Sequence, residues 1–208
     1  MKMNCDYEEF IEKWRNNWQR ISIYKYLDED FIRKYSNKVN WVSISRYQIL
    51  SEAFIREFKS KVHWNNISEK QVLSEKFIRE FADKVNWNKI SYYQILSESF
   101  IEEFSDKVNW LNISSKQKLS ESFICKYKYN VGWFTISECQ KLSESFIWKF
   151  KNYVYWQHII RYQQLSESFI KKILRKVNKK FINDIIIYQK LSESFIREFQ
   201  NKVDFLNI

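Results

Sequence analysis

The amino-acid sequence predicts an all-α fold, an α-helical solenoid of about eight two-helix repeats of 23 residues each. Within each repeat, Phe, Ile and Val recur at spacings of about four residues, which is one face of a helix and not the alternation of a strand. The chain has one Gly and no Pro, which favours helices joined by short polar turns over a turn-rich sheet. The period is marked by Leu27, Leu50, Leu73, Leu96, Leu119, Leu142, Leu165 and, after 26 residues, Leu191.

Numbering each repeat from its leucine gives 23 positions with the consensus L-S-E-S-F-I-x-x-F-x-x-K-V-N-W-x-x-I-S-x-Y-Q-x. Residues 1–208 are predicted to be a single repeat domain. Residues 1–26 are a degenerate N-terminal repeat, 27–190 are seven repeats of which the seventh has a three-residue insertion, and 191–208 are an incomplete final repeat. One such unit cannot bury its apolar face alone, so stacked copies are expected to share a continuous core.

Two helices are predicted in each repeat. The apolar positions 1, 5, 6, 9 and 13 lie on one helical face, so the first helix should run from position 3 to about position 13. Ser or Asp at position 2 is a strong N-cap, and the Glu at position 3 suits the positive end of the helix dipole. Position 14 is Asn in four of the eight copies and Gly132 in one. It either ends the first helix in a left-handed conformation or caps a second helix over positions 15–22.

A glutamine occupies position 22 of each of the seven repeats between residues 27 and 190. The structural interpretation is an amide that hydrogen-bonds the inter-repeat turn or stacks as a ladder, because buried amides find such partners. The alternative is a row of donors that face a repetitive ligand. These glutamines are Gln48, Gln71, Gln94, Gln117, Gln140, Gln163 and Gln189.

Composition argues against catalysis and against a membrane partner. No apolar run reaches the roughly 18–20 residues of a membrane span, and the first residues have no signal-peptide core. Cys5, Cys125 and Cys139 show no metal-ligand spacing and indicate reduced thiols in a cytoplasmic setting. Two histidines, His63 and His158, and one glycine cannot build the usual acid–base, metal or phosphate-loop sites. The expectation is a non-enzymatic protein without cofactors or metals.

The positive charge is concentrated in the second half of the chain. Residues 1–114 carry 18 Lys and Arg against 17 Asp and Glu, a net +1, and residues 115–208 carry 17 against 8, a net +9. This excess permits non-specific nucleic-acid binding through the phosphate backbone, although Lys-rich coding alone would also raise the charge. The candidate residues are Lys126, Lys128, Lys149, Lys151, Lys171, Lys172, Arg175, Lys176, Lys179 and Lys180.

A protein-interaction scaffold is the first functional hypothesis, because core positions are constant while positions 7, 8, 16 and 17 vary. Trp148 at position 7, where other copies are mostly charged, is a candidate contact anchor; the alternative is that it packs on its own helix. The basic stretch 171–180 next to the insertion either marks a binding side or reflects drift in a solvated turn. Self-assembly is a third hypothesis, since the chain ends on the apolar segment 205–208 without a polar cap.

The consensus LSESFIREFxxKVNWxxISxYQ resembles short helical repeats that occur in many copies in proteins of mimivirus-like giant viruses of amoebae. The resemblance covers the chain from Phe10 to Ile208, and the LSESFI and KVNW blocks carry it. It implies a viral protein in the host-cell cytoplasm or the virion. It carries over no catalytic residues, since no activity is established for such repeats.

Overall fold

The computed structural model describes residues 7–24, 27–176 and 181–200, with side chains up to residue 198. These residues form 17 α-helices and no strand, which confirms the predicted all-α repeat solenoid. The chain divides into two compact units, unit 1 (Met1–Asn109) and unit 2 (Trp110–Ile208). Each unit is a stack of two-helix repeats.

Unit 1 contains the helices α1 (Tyr7–Lys13), α2 (Trp18–Ser22), α3 (Glu29–Lys34), α4 (Trp41–Tyr47), α5 (Glu52–Glu57), α6 (Trp64–Lys70), α7 (Glu75–Glu80), α8 (Trp87–Tyr93) and α9 (Glu98–Glu103). Unit 2 contains α10 (Trp110–Lys116), α11 (Glu121–Lys126), α12 (Trp133–Cys139), α13 (Glu144–Lys149), α14 (Trp156–Tyr162), α15 (Glu167–Lys176), α16 (Ile182–Tyr188) and α17 (Glu193–Gln200). The first helix of a repeat therefore alternates with a second helix that begins at position 15.

The N-cap predicted at position 2 is confirmed. Ser51 Oγ accepts the backbone N–H of Phe54 at 3.1 Å, and Asp28 accepts that of Phe31 at 2.8 Å. The side chain thereby satisfies one of the orphan donors at the helix N-terminus. The same bond forms at every position 2 in the described residues, up to Ser192 with 3.2 Å.

The prediction that the first helix runs to position 13 was wrong for the regular repeats, where it ends at position 8. The indole N–H of Trp64, at position 15, donates to the backbone carbonyl of Lys59, at position 10, at 3.1 Å. This bond takes a carbonyl that a longer helix would use in its own ladder. Helix α15 continues to position 12, and the second helix of its repeat begins with Ile182 where the regular repeats have Trp.

Position 14 caps the second helix and does not end the first in a left-handed conformation. The side-chain oxygens of Asn40 and Asn86 accept the backbone N–H of Ser43 at 2.9 Å and of Lys89 at 3.1 Å. Gly132 has φ −80°, close to the −84° of Asn40. The only glycine is therefore not needed for a positive φ. The capping interpretation is confirmed at Asn40 and Asn86, whereas His63, Gly132 and Tyr155 make no side-chain cap bond.

The core is the predicted ladder of aromatic and aliphatic side chains. Phe54, Ile55 and Ile67, at positions 5, 6 and 18, are all 0% exposed. The indole of Trp41 stacks on Phe54 of the next repeat, with ring centroids 6.2 Å apart and planes at 26°. Full burial of one such side chain contributes about 1.5–3 kcal/mol. Packing between neighbouring repeats thus holds helices that are too short to be stable alone.

The glutamines of position 22 form a buried ladder that joins each repeat to the one before it. Gln71 Oε1 accepts the backbone N–H of Leu50 at 2.9 Å. Its Nε2 donates to the carbonyls of Ser45 at 3.2 Å and Gln48 at 2.7 Å. Only Gln offers one acceptor and two donors at this reach, which explains its recurrence. The structural interpretation of this position is confirmed.

The serines of position 19 form a second ladder. The hydroxyl of Ser68, a fully buried residue, donates to the carbonyl of Trp64 at 2.8 Å and accepts the backbone N–H of Asn86 at 2.9 Å. That N–H belongs to position 14 of the next repeat. The hydroxyl therefore satisfies both a helix carbonyl and an inter-repeat amide that burial would otherwise leave unpaired.

The glutamate of position 3 also joins neighbouring repeats. A carboxylate oxygen of Glu29 accepts the backbone N–H of Ser51 at 2.7 Å, and Glu167 accepts that of Ser192 at 2.6 Å. The bond from the backbone of Ser192 lowers the pKa of the Glu167 carboxyl. Each glutamate thus binds the N-cap residue of the following repeat, which the helix-dipole argument does not predict.

The serine ladder stops just before the irregular seventh repeat. Position 19 of the sixth repeat is Ile160, which is 0% exposed and has no hydroxyl to accept an inter-repeat N–H. The glutamine ladder continues, because Gln189 Nε2 donates to the carbonyls of Ile160 and Gln163, and its Oε1 accepts the N–H of Leu165 at 3.1 Å. One ladder therefore persists where the other is lost.

Candidate binding surfaces

Positions 7 and 8 of unit 1 form a ladder of ion pairs along the first helices. Each Arg at position 7 donates through Nε to the Glu at position 8 of the next repeat. The hydrogen bond to Glu57 raises the pKa of the Arg33 guanidinium. Each of these Arg side chains also lies over a Phe ring of the next repeat, as Arg56 does over Phe77 at 4.9 Å. The pairs are Arg33–Glu57 at 2.8 Å, Arg56–Glu80 at 2.8 Å and Arg79–Glu103 at 2.7 Å.

The same positions of unit 2 are different. Position 8 is Lys126, Lys149 and Lys172 in three consecutive repeats, here named the lysine row, and all three are exposed. Lys149 Nζ lies 3.6 Å from Cys125 Sγ, and Lys172 Nζ lies 3.8 Å from the ring centroid of Trp148. In the described part of the chain, neither Lys149 nor Lys172 has a carboxylate within 4.0 Å. Two cations of the row therefore lack the carboxylate partner that Arg33, Arg56 and Arg79 have at position 7 of unit 1.

Trp148 is half-buried and is not a free anchor. Its ring meets the edge of Phe169 at 6.2 Å and 79°, and Lys172 covers one face. Lys151 Nζ lies 5.2 Å from the same ring. The indole thus contacts two cations, and each such contact is worth about 0.5–1 kcal/mol at an exposed site. Trp148 packs against the ring of Phe169 in the next repeat. Its role as a contact anchor for a partner stays a prediction.

The other candidate residues of unit 2 differ from one another in their contacts and exposure. Lys171 pairs with Glu198 at 2.6 Å, so it is partly neutralised. Lys128 lies 4.8 Å from the ring centroid of Tyr129. Arg175 and Lys176 are exposed at the end of α15. The predictions for Lys179 and Lys180, and for the C-terminal segment 205–208, fall outside the described residues and stay predictions.

A shallow groove of about 460 Å³ lies beside the lysine row. It runs between the first helices α11 and α13, with Phe146 at its base and Lys149 and Cys125 at its side. Glu121 and the serines Ser122 and Ser145 complete the lining. The lining thus offers hydroxyls, a thiol, one ring, the cation of Lys149 and the carboxylate of Glu121. An extended segment with small apolar groups and a carboxylate at Lys149 would match it.

A second cluster lies on the second helices of unit 2, around His158. The imidazole lies 4.1 Å from the ring of Phe134 and stacks on Tyr162 at 5.8 Å and 27°. Its Nδ1 lies 3.5 Å from a carboxylate oxygen of Glu138. Beside it, Arg161 lies between the rings of Tyr162 and Tyr188. The sequence pattern does not reveal this cluster, because its members stand at variable positions of three different repeats.

Over residues 7–24, 27–176 and 181–200, no three His, Cys, Asp or Glu side chains lie close enough together to hold a metal ion. Over the same ranges, no helix is both long and apolar enough to cross a membrane.

Comparison with known proteins gives no further constraint on these surfaces. No protein-family model, curated protein or solved structure matches the chain. The fold and its surfaces therefore rest on the sequence and geometry described above.

Proposed function

We propose that this chain is a non-enzymatic repeat scaffold that binds a protein partner through the first helices of unit 2. The observation that supports the proposal is the contrast at positions 7 and 8. Unit 1 pairs its Arg with Glu, whereas Lys149 and Lys172 of unit 2 meet a thiol and a ring. A partner segment rich in Asp or Glu would supply the missing carboxylates.

The geometry favours an extended or irregular acidic segment. Lys151 and Lys172 lie against the ring of Trp148, and Lys149 lines the groove between α11 and α13. Repeats display such groups at a constant interval, so several weak contacts act together along one partner chain. Lys126 extends the row by one repeat.

Nucleic-acid binding is the second candidate, and the net +9 of residues 115–208 supports it. No exposed position combines paired polar residues with a stacking side chain in successive repeats, so a base-by-base code is not expected. Such binding would be non-specific and strongly salt-dependent.

The resemblance to repeats of mimivirus-like giant viruses suggests where this scaffold would act. We propose a viral protein in the host-cell cytoplasm or the virion. The repeat consensus supports this setting, and it adds no ligand or partner to the surface itself.

A titration that compares two polyanions tests the proposal. A fluorescent acidic peptide and a generic single-stranded oligonucleotide are added separately at about 20, 50, 100 and 150 mM salt. Exchange of Lys149→Glu and Lys172→Glu should weaken peptide binding by about tenfold or more. The matched control, Lys59→Glu and Lys76→Glu on exposed sites of unit 1, makes the same change in net charge and should leave binding within about twofold.

The outcomes separate the candidates. Peptide binding that depends on the lysine row supports the protein-binding scaffold. Stronger binding of the oligonucleotide, with the logarithm of affinity falling linearly with that of the salt concentration, would favour nucleic acid. No binding of either polyanion at the lowest salt, or equal losses in both variants, would overturn the assignment of this surface.

A further inference from the structure

Two lysines of unit 2 are held in the same way at two successive junctions between repeats. At each junction the side chain of position 8 contacts position 7 of the repeat before it. Lys149 Nζ lies 3.6 Å from Cys125 Sγ. Lys172 Nζ lies 3.8 Å from the ring centroid of Trp148. Both ammonium groups therefore lean towards the preceding repeat and occupy equivalent places in adjacent repeats.

The stacking of the repeats sets the distance between these two cations. Because Lys149 and Lys172 occupy equivalent places, their ammonium groups are separated by the spacing of one repeat. The first helices that carry them are packed neighbours, and the axes of packed helices lie about 8–10 Å apart. The surface therefore presents positive charges at intervals of about 8–10 Å.

Regular backbone conformations differ in whether they can repeat a side chain on one face at this interval. A β-strand places every second residue on the same face, about 6.6 Å apart, and every fourth about 13 Å apart. Polyproline II has three residues per turn and a rise of about 3.1 Å, so every third residue returns to the same face after about 9.3 Å. An α-helix needs seven residues and about 10.5 Å. Polyproline II gives the closest match.

The groove beside Lys149 also favours a single extended chain over a helix. It lies between α11 and α13, the first helices of two neighbouring repeats. A helix with its side chains is about 10–12 Å wide, which exceeds the distance between the axes of those two helices. A helical partner could therefore rest on the surface but could not enter the groove, whereas one extended chain could.

The hydroxyl of Ser145 offers an acceptor inside this groove. Ser143 Oγ donates its hydrogen to a carboxylate oxygen of Glu121 at 3.0 Å. Ser145 Oγ lies 2.9 Å from Ser143 Oγ, and since a hydroxyl has one hydrogen, Ser145 is the donor of that second bond. Ser145 Oγ, which lines the groove, therefore keeps a lone pair for an incoming donor. Backbone N–H groups of polyproline II are such donors, because this conformation has no internal hydrogen bonds.

We propose that the acidic segment bound by unit 2 is a polyproline II stretch with Asp or Glu at every third residue. Two successive carboxylates of that series pair with Lys149 and Lys172, and a backbone N–H between them donates to Ser145. The inference rests on the proposed function, since it specifies the partner of the same surface. A segment with this spacing forms both ion pairs at once, whereas another spacing leaves one lysine without a carboxylate.

Three fluorescent peptides of identical composition test the spacing. Each has four glutamates, four prolines and five alanines, with the glutamates at every second, every third or every fourth position. Fluorescence anisotropy is measured with the full chain at about 20 mM salt, where screening is weak. The every-third peptide should bind about two- to fivefold more tightly than the other two, the effect of one additional exposed ion pair.

Two pairs of alanine exchanges show whether the lysines read the spacing. Lys149→Ala with Lys172→Ala should make the three peptides bind equally weakly. The matched control, Lys59→Ala with Lys76→Ala at exposed sites of unit 1, removes the same charge and should keep the preference for the every-third peptide. Circular dichroism of both variants, expected to match the parent, shows that the fold is intact.

Two further exchanges test the groove and the backbone conformation. Ser145→Ala removes the acceptor and should weaken the every-third peptide by about two- to tenfold. Replacing the four prolines of that peptide by glycines keeps the glutamate spacing and should also weaken binding, because a flexible chain loses more entropy on binding. Unchanged affinity in either case would overturn the corresponding part of the proposal.

The outcomes separate this inference from the proposed function. Equal binding of the three peptides, with a loss in the variant of Lys149 and Lys172, would overturn the spacing and leave the acidic partner in place. Tightest binding of the every-second peptide would indicate a strand and overturn polyproline II. So would a helical peptide with glutamates at every seventh position that binds more tightly than the every-third peptide. No binding of any peptide would overturn both the spacing and the proposed function.

Discussion

Unit 1 and unit 2 share one framework and present two different surfaces. The buried groups are the same in both, as the glutamines Gln71 and Gln140 show with matching bonds to a leucine N–H and two carbonyls. Exposed positions differ. Position 8 of unit 1 carries Glu80 where unit 2 carries Lys149, and position 23 changes from Val72 to Lys141. Surface chemistry in this repeat is therefore free to change without altering the packing beneath it.

The two units also differ at position 19, one of the buried positions that join neighbouring repeats. Unit 1 keeps the serine at position 19 in each repeat. Unit 2 replaces it by Ile160, directly before the irregular repeat, and by Ile186 within it. Loss of that hydroxyl coincides with loss of the Trp at position 15 and with the longer helix α15. Gln189 still bonds across the same junction. The glutamine ladder is thus the more general of the two connections.

The largest effect is expected at the glutamine ladder. Gln71→Leu would leave the N–H of Leu50 and the carbonyls of Ser45 and Gln48 buried without partners, at about 1–3 kcal/mol each. A loss of about 3–9 kcal/mol in the free energy of unfolding should appear in urea titrations. Gln140→Leu in unit 2 should cost about the same. A clear inequality would show that the units differ in their framework and not only on their surfaces.

Position 19 should respond to alanine in both units, for different reasons. Ile160→Ala opens a cavity and should cost about 2–5 kcal/mol. Ser68→Ala leaves the N–H of Asn86 unpaired and should cost about 1–3 kcal/mol. Ser68→Gly should cost about 0.5–1 kcal/mol more than Ser68→Ala, because glycine also weakens the helix interior. Ile160→Val should be much milder than Ile160→Ala. Equal sensitivity to Ile160→Val and Ile160→Ala would contradict the packing role.

Placing lysines at position 8 of unit 1 tests whether the lysine row alone is enough to bind an acidic peptide. Glu57→Lys, Glu80→Lys and Glu103→Lys would break the Arg–Glu ladder, whose side chains are 35–45% exposed. Each exposed pair is worth about 0–1 kcal/mol, so stability should fall only slightly. Binding of the acidic peptide should rise severalfold in fluorescence anisotropy. Failure to gain any binding would mean that Trp148 and the groove, and not charge alone, define the site.

The smallest effect concerns one carboxyl of unit 1. The hydrogen bond from Lys70, and to a smaller extent the one from Lys89, lowers the pKa of the Glu69 carboxyl from 4.5 to about 2. Because the folded-state pKa is lower than the unfolded one, the ionised carboxyl stabilises the fold above about pH 4.5. That contribution is lost as the pH falls towards 2. A carboxyl-carbon NMR titration should show this midpoint, and Lys89→Ala should raise it. A midpoint near 4.5 in the parent would contradict both contacts.

The repeat boundaries, the N-caps and the core residues could be predicted from the sequence because they depend on local spacing. The end of the first helix could not. It is decided by the indole of Trp64, which reaches back five residues to a carbonyl, a contact that helical periodicity does not encode. The role of Glu29 was likewise hidden, since its partner Ser51 belongs to the next repeat.

The candidate surfaces, too, could be predicted only in part from the sequence. The excess of lysines in unit 2 is visible in the composition. The composition does not show that Lys171 pairs with Glu198, nor that Lys172 lies on the ring of Trp148. The outward direction of Ile49 is also invisible in a pattern where apolar residues usually mean core.

By itself, the sequence determined the helical repeat, its period and the side chains that fill its core, because short-range spacing and burial are enough to specify them. The tertiary structure alone decided which polar groups join neighbouring repeats and which cations have acid partners. It also decided which aliphatic side chains remain in solvent. These properties depend on atoms about 21 to 26 residues apart in the chain, as in the bonds of Gln71 to Leu50 and Ser45. Only the stacking of one repeat on the next brings such atoms to hydrogen-bonding distance.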